Sequence, residues 1–249
     1  MISTRNAIWG LLAFLAPCLS ADDSSLKQSP PALCVILIGG IDSDPTPQQI
    51  EGIAPRGQGQ SGLFQLAGDL ARDGLTTEYF NWNGTRAGQI KQKPPRAAGI
   101  AQFIQDRHAE RPTERLAIVA NSWGGHTAWE VCEALNTSEI LIEMAVFLDP
   151  SSTGRAKTPR PVQLPQCIKA ARNYYTRNVF GWREWPNETR LVNVDLGDAK
   201  LGFLQLGGPK YDATFNTQAH IAAEWDPRIH REIMQHVVAV QVPEDTPVK

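Results

Sequence analysis

The stretch Leu116-Ala117-Ile118-Val119-Ala120-Asn121-Ser122-Trp123-Gly124-Gly125-His126 reads as a buried strand that runs into a serine, turns sharply and leaves as a helix. Leu116 to Ala120 is an unbroken apolar run, the pattern of a parallel strand covered on both faces. Beyond the turn, Ala128, Val131, Cys132 and Leu135 recur at helical spacing. Small residues flank the serine, Ala120 two positions before it and Gly124 two after. A serine on so tight a turn holds a strained backbone, and its Cβ approaches the chain at both flanking positions, where only small side chains fit. The strain holds the hydroxyl clear of the chain, at the start of a helix whose free N–H groups can stabilise a developing oxyanion. The competing reading is an ordinary strand-to-helix turn whose serine only caps the helix.

Outward from this stretch the chain alternates strand and helix, which predicts a mostly parallel central sheet with helices on both faces. Leu33 to Ile38, Thr76 to Phe80, Ala145 to Leu148 and Leu191 to Leu196 read as strands. Leu63, Leu66, Ala67 and Leu70 mark a helix ended by Gly74, and a second helix spans Ala97 to Glu110. The sequence predicts a further helix from Pro165 to about Arg177. A final one has Asp226 as N-cap and Pro227 at its first position. In open parallel sheets the active groups gather at the C-terminal ends of strands. Four such ends carry glycine or polar chemistry: Gly39-Gly40, Ser122, Asp149 and the region from Asp195 to Asp198.

A serine hydroxyl is a weak nucleophile at neutral pH. It needs a base within hydrogen-bond reach, and the base needs an acid to orient it. Of five histidines, His108 precedes Ser122, His126 lies on the helix just after it, and His230 and His236 belong to the last helix. His126 is expected to pack or cap. His220 alone falls in a predicted loop between the last strand and the last helix.

The motif resembles the nucleophile elbow of the α/β-hydrolase superfamily, usually Gly-x-Ser-x-Gly, with Ala120 at the first small position. The resemblance implies an α/β-hydrolase fold and the chain order serine, acid, histidine. It assigns Ser122 as nucleophile and His220 as base. For the acid it favours Asp149, in Phe147-Leu148-Asp149-Pro150, as in the lipase branch whose acid follows that strand. Asp195 and Asp198, at the last strand, are the alternatives. The oxyanion would take backbone N–H groups of Trp123 and Ile41, with Gly40 letting the backbone approach; Gly39 stands where relatives often carry histidine. Tyr79-Phe80-Asn81-Trp82, Asn173-Tyr174-Tyr175 and the spacing from His220 to Asp226-Pro227 resemble secreted lipase-like proteins more loosely. The implied activity is lipase- or esterase-like hydrolysis of a small-molecule or lipid ester, with no metal or organic cofactor. The alternative is a catalytically silent protein of this fold that binds a ligand in its cleft.

The chain has 249 residues, 42% hydrophobic and 20% charged, which suits one α/β domain over residues 32–249. A net charge of -2 offers no general attraction to nucleic acid. Residues 1–21 read as a secretory signal peptide: Arg5, then an apolar stretch from Ala7 to Leu19, then small residues Ser20 and Ala21. That run is too short for an ordinary membrane span. Cys18 in Leu15-Ala16-Pro17-Cys18 gives a weaker lipoprotein alternative. Residues 22–31 read as a flexible lead-in. The expected location is therefore secreted or periplasmic. Signal removal would leave Cys34, Cys132 and Cys167, with a Cys132–Cys167 disulfide open. Residues 151–190 hold eight Lys or Arg against two Glu, with five interleaved aromatics. They read either as a solvated helix with a loop packed on the body, or as a cap that favours anionic acyl groups.

Overall fold

The computed structural model describes residues 32–41, 43–51, 61–84, 86, 96–152, 163–178, 181–185, 188–203, 211–212 and 217–241. The proposed signal peptide, lead-in and Cys18 lie outside them. Six strands form one sheet: β1 (Leu33–Gly39), β2 (Thr76–Asn81), β3 (Arg115–Asn121), β4 (Ile142–Leu148), β5 (Ile168–Tyr175) and β6 (Leu191–Asp195). Their order is β2-β1-β3-β4-β5-β6, and every pairing is parallel. The helices are α1 (Pro47–Ile50), α2 (Gly62–Arg72), α3 (Arg96–Glu110), α4 (Trp123–Leu135), α5 (Thr217–Trp225) and α6 (Pro227–Ala239), with a 3-10 turn at Ala199–Leu201.

The alternation of side chains along the central strands divides the core into two layers. Ile36, Ile38, Ile118 and Phe147 face one way and meet Ile100 and Ile104 of α3 and Val131 and Leu135 of α4. Val35, Leu37, Val119 and Val146 face the other way and meet Leu63, Leu66 and Leu70 of α2 and Ile229, Ile233 and Val237 of α6. These residues are essentially inaccessible to water, so truncating one such Ile or Leu to Ala costs about 2–5 kcal/mol. The helix ends follow local chemistry. Ser61 caps α2 by accepting the Phe64 N–H, Gly74 leaves that helix at φ 86°, and Asp226 caps α6 ahead of Pro227.

The chain does not form a helix over 165–177. Residues 168–175 are β5, paired with β4 and β6. Lys169-Ala170-Ala171-Arg172 favours a helix locally, but Ile168, Tyr174 and Tyr175 fit a pleated surface, and sheet pairing on both edges overrides the local preference. Asn173 sits fully buried in that strand, its amide donating to Arg183 O and Asn193 Oδ1. The basic side chains described here are engaged within the body. Lys169 meets Glu143, Arg172 meets Glu232, Arg177 meets Asp195, and Arg190 donates to the carbonyl of Ile168. Trp182 and Trp185 pack into the core layer of α3 and α4. Cys34, Cys132 and Cys167 are free, buried thiols; Cys167 Sγ donates to the Cys132 carbonyl at 3.3 Å and no disulfide joins the two. No helix among the described residues is long and apolar enough to cross a membrane.

Strand order sets where a ligand can sit. From β1 the chain moves to β2 on one side, then returns to place β3 on the other. The crevice at the carboxyl ends of β1 and β3 is the topological switch point, the usual binding place in open parallel sheets. Gly39-Gly40 and Ser122 stand at those two ends.

Candidate active site

Ser122 joins β3 to α4 with φ 52° and ψ -127°, a backbone conformation that a side chain rarely adopts. The strain is held by hydrogen bonds on both sides. Ser122 N–H donates to Leu148 O at 3.1 Å, and Ser122 O accepts from Gly125 N–H and Ser151 N–H. Gly124 must be small, but the carbonyls of β1 rather than the serine Cβ require it, and Gly125 is confined as well. A Cβ on Gly124 would collide with the carbonyl oxygens of Ile38 and Gly39, and one on Gly125 would stand 2.5 Å from Pro150 Cβ. The Ser122 side chain makes no cap bond to α4, so its hydroxyl is free for another partner.

That partner is His220, whose Nε2 lies 2.8 Å from Ser122 Oγ. The histidine is not in a loop: it occupies the first turn of α5. Thr217-Gln218-Ala219-His220 shows little contrast between its faces, so the helix left no clear periodic signal in the sequence. Its position between the last strand and the last helix is nonetheless the expected one. The other ring nitrogen, Nδ1, lies 2.6 Å from Asp149 Oδ2.

Asp149 is 1% exposed and itself has φ 41°. A carboxylate so buried needs donors. Thr176 supplies its backbone N–H to Oδ1 and its hydroxyl to Oδ2, both at 2.9 Å, and Asn178 Nδ2 donates to Oδ2 at 3.2 Å. Gly181 gives the carboxylate room, since a Cβ there would stand 2.6 Å from Oδ1. The two alternative acids are elsewhere. Asp195 pairs with Arg177 at 2.7 Å, and Asp198 caps the 3-10 turn by accepting the Lys200 N–H. His126 is buried against Trp182 and within 3.2 Å of Glu130, a packing role as expected.

Two backbone N–H groups near Ser122 have no partner among the described residues: that of Trp123, at the start of α4, and that of Ile41, just after β1. Gly40 contributes space rather than a donor. Its N–H is taken by Asn121 Oδ1 at 2.9 Å, and a Cβ on it would stand 2.7 Å from Ser122 Cβ. A pocket of about 310 Å³ opens over this assembly, lined among others by Ile41, Asn121, Ser122, His220, Glu224 and Trp225. Burial alone would lower the His220 pKa; the hydrogen bond and charge of Asp149, and the charge of Glu224, outweigh it and hold the imidazole above its ordinary value. No cluster of three or more His, Cys, Asp or Glu suited to a metal occurs among the described residues.

An elbow serine at the switch point of a parallel sheet, followed along the chain by Asp149 and His220 that meet it, decides the architecture. The fold is the α/β-hydrolase fold. No protein-family model and no curated protein matches the sequence. Among solved structures, the chain resembles an α/β serine hydrolase without lid from Xanthomonas campestris, at 16% identity over 86% of this chain and 84% of that one, TM-score 0.43. It also resembles a putative α/β hydrolase from Agrobacterium tumefaciens, at 13% identity over 88% and 91% of the two chains, TM-score 0.46. A third likeness is a cutinase-like protein from Cryptococcus sp., at 13% identity over 86% and 96%, TM-score 0.42.

Of Thr176, Asn178 and Gly181, which surround Asp149, the first falls inside the expected helix over 165–177 and the other two just beyond it. Once β5 is recognised, their place just past its carboxyl end would mark them. Asn121 and Glu224 had weaker signals: a polar residue ending a buried strand, and an acid one turn beyond His220.

Proposed function

We propose that the chain is a serine hydrolase that cleaves carboxylic esters through an acyl-enzyme. One observation carries the reading: the His220 ring spans Ser122 and Asp149 with hydrogen bonds of 2.8 and 2.6 Å. Asp149 accepts a hydrogen bond from Nδ1–H, which leaves Nε2 with its lone pair toward Ser122 Oγ. As Ser122 attacks the ester carbonyl, His220 takes the hydroxyl proton. The carbonyl oxygen gains negative charge and is met by the N–H groups of Trp123 and Ile41. His220 then returns the proton to the departing alcohol. In the second half a water loses its proton to His220 and attacks the acyl-enzyme, and Ser122 recovers its hydrogen as the acid leaves.

The test is labelling with a fluorophosphonate probe together with release of p-nitrophenol from short p-nitrophenyl esters. The wild type should label and turn over, and Ser122→Ala should do neither. A folded wild type that neither labels nor hydrolyses sinks the reading and leaves a ligand-binding protein of this fold. We propose also that the protein is exported, on the strength of residues 1–21. Mature protein whose first residue lies near position 22 supports that; an intact N-terminus on protein kept inside the cell refutes it.

A further inference from the structure

Beside the Ser122–His220 pair the pocket holds a second carboxyl that the proposed reaction does not use. Glu224 stands one turn beyond His220 on α5 and is 7% exposed. Burying a carboxyl is costly unless its lone pairs find donors. Oε1 accepts the Leu63 N–H at 3.1 Å and lies 3.2 Å from Ser61 Oγ. The Gly62 N–H also bonds to the carboxyl, and no Lys or Arg pairs with Glu224 among the described residues. These bonds hold α5 against the start of α2, which Ser61 already caps through the Phe64 N–H. Two carboxylate oxygens offer about four lone-pair sites, so three donors leave acceptor capacity in the wall of a pocket that also contains the reacting groups.

An open donor belongs to the same pocket. The Asn121 amide is oriented by its Oδ1, which accepts the Gly40 N–H at 2.9 Å. Its Nδ2 therefore points the other way and has no partner among the described residues. The remaining walls combine Ile41, Ile221 and Trp225 with the hydroxyl residues Ser43 and Thr217. A small pocket whose walls offer a carboxyl acceptor, an amide donor and two hydroxyls suits a group that both gives and takes a hydrogen bond. A hydroxyl does so; an ammonium has no lone pair for Asn121, and an alkyl chain would leave both buried groups unmatched.

We propose that Glu224 and Asn121 recognise a hydroxyl group on the substrate, so that the preferred ester is a hydroxylated one rather than a plain alkyl or long-chain lipid ester. This rests on the ester-hydrolase reading and goes beyond it by naming the substrate class. Sites built to bond a hydroxyl reject the analogue that lacks it far more strongly than apolar pockets reject an extra methylene.

The experiment compares p-nitrophenyl butyrate with p-nitrophenyl 3-hydroxybutyrate and 4-aminobutyrate, and propyl butyrate with 2-hydroxyethyl butyrate. Each result is read as a ratio of kcat/KM within one variant, so that a general loss of rate cancels. The wild type should favour the hydroxylated member of at least one series about tenfold or more. In Glu224→Met that ratio should fall to about one. Should the methionine variant fail to fold, Glu224→Gln keeps the shape and must lower the ratio at least about threefold. No hydroxyl preference in either series, a stronger preference for the amine, or a ratio untouched by the substitution overturns the proposal. Fluorophosphonate labelling of the wild type separates the two levels: protein that labels but shows no hydroxyl preference loses only the substrate class, whereas protein that does not label loses the hydrolase reading itself.

Discussion

Thr176 gives both its backbone N–H and its hydroxyl to the carboxylate of Asp149, one to each oxygen, at 2.9 Å. The hydroxyl goes to Oδ2, the oxygen that also holds His220 Nδ1 at 2.6 Å. Thr176 is fully buried, so water does not replace the donor if it is lost. A hydrogen bond to a buried charge contributes about 1.5–3 kcal/mol. Thr176→Val should therefore cut kcat about tenfold or more, with little change in KM, because the imidazole loses its fixed orientation while the pocket keeps its shape. Thr176→Ser, which restores the hydroxyl, should recover most of the rate. A valine variant as active as the serine variant would show that the Thr176 N–H and Asn178 position Asp149 without the hydroxyl.

The raised pKa of His220 fixes the direction of the pH dependence. Burial opposes its charging, but the bond and charge of Asp149 and the charge of Glu224 win. The base must be neutral to accept the Ser122 proton. Activity should thus rise with pH and reach half its plateau above about 6.5, the ordinary imidazole value. Asp149→Asn removes the largest raising influence and leaves burial. Its acidic limb should move to lower pH while kcat falls by roughly 10³–10⁴-fold. Stability runs the opposite way. A histidine that binds its proton more tightly when folded contributes stability that is full below about 6.5 and lost as pH rises through the folded value. Melting temperatures of wild type and His220→Gln should therefore differ more at pH 5 than at pH 9. A wild-type acidic limb centred below 6 contradicts the whole account.

The arginines of the basic stretch test its two readings. Arg172 reaches Glu232 of α6 at 2.9 Å and Tyr174 at 3.0 Å, and Arg177 reaches Asp195. Neither lines the pocket over Ser122. Charge reversal at both should leave the selectivity between neutral and anionic esters within about twofold, in line with screened, distant charges. Arg172→Glu should also lower the melting temperature by a few degrees, since it sets two acids against each other between β5 and α6. A selectivity change of about tenfold toward neutral esters would instead revive the cap.

How much of this was legible depended on which signals were local. The elbow was readable because its requirements are steric and lie within five residues, Ala120 to Gly124. Asp149 was readable because a strand ends there, and His220 because of its place along the chain. The strand β5 was not. Its residues look helical one by one, and only the partners β4 and β6, supplied by the tertiary fold, decide otherwise. Thr176, which serves Asp149 just past the end of β5, was lost with it. Glu224 and Asn121 escaped for a different reason. Each matters through the hydrogen-bonding capacity it offers the pocket, and that capacity is visible only when the surroundings are known.

The contact between Gly40 and Ser122 leads to a last prediction about the loop after β1. Gly40 reaches its position through two constraints: its N–H is held by Asn121 Oδ1, and its missing side chain lets it lie against Ser122. Gly40→Ala puts a methyl group 2.7 Å from Ser122 Cβ and 3.2 Å from Oγ, so the loop or the serine must shift. Overpacking of this kind costs about 1–3 kcal/mol, which a folded domain survives. The catalytic loss should be larger, about 100-fold in kcat, because a displacement of the Ile41 N–H by an ångström misplaces an oxyanion donor. Asn121→Ala releases the same loop from the other side and should lower kcat about tenfold or more by the same route. If both act by displacing that donor, the double variant should be little worse than Gly40→Ala alone, since a donor already lost cannot be lost again. Kinetics of the two single variants and the double variant measure this directly. Fully additive losses would mean that Asn121 and Gly40 act on different steps, and that Ile41 does not supply the oxyanion donor.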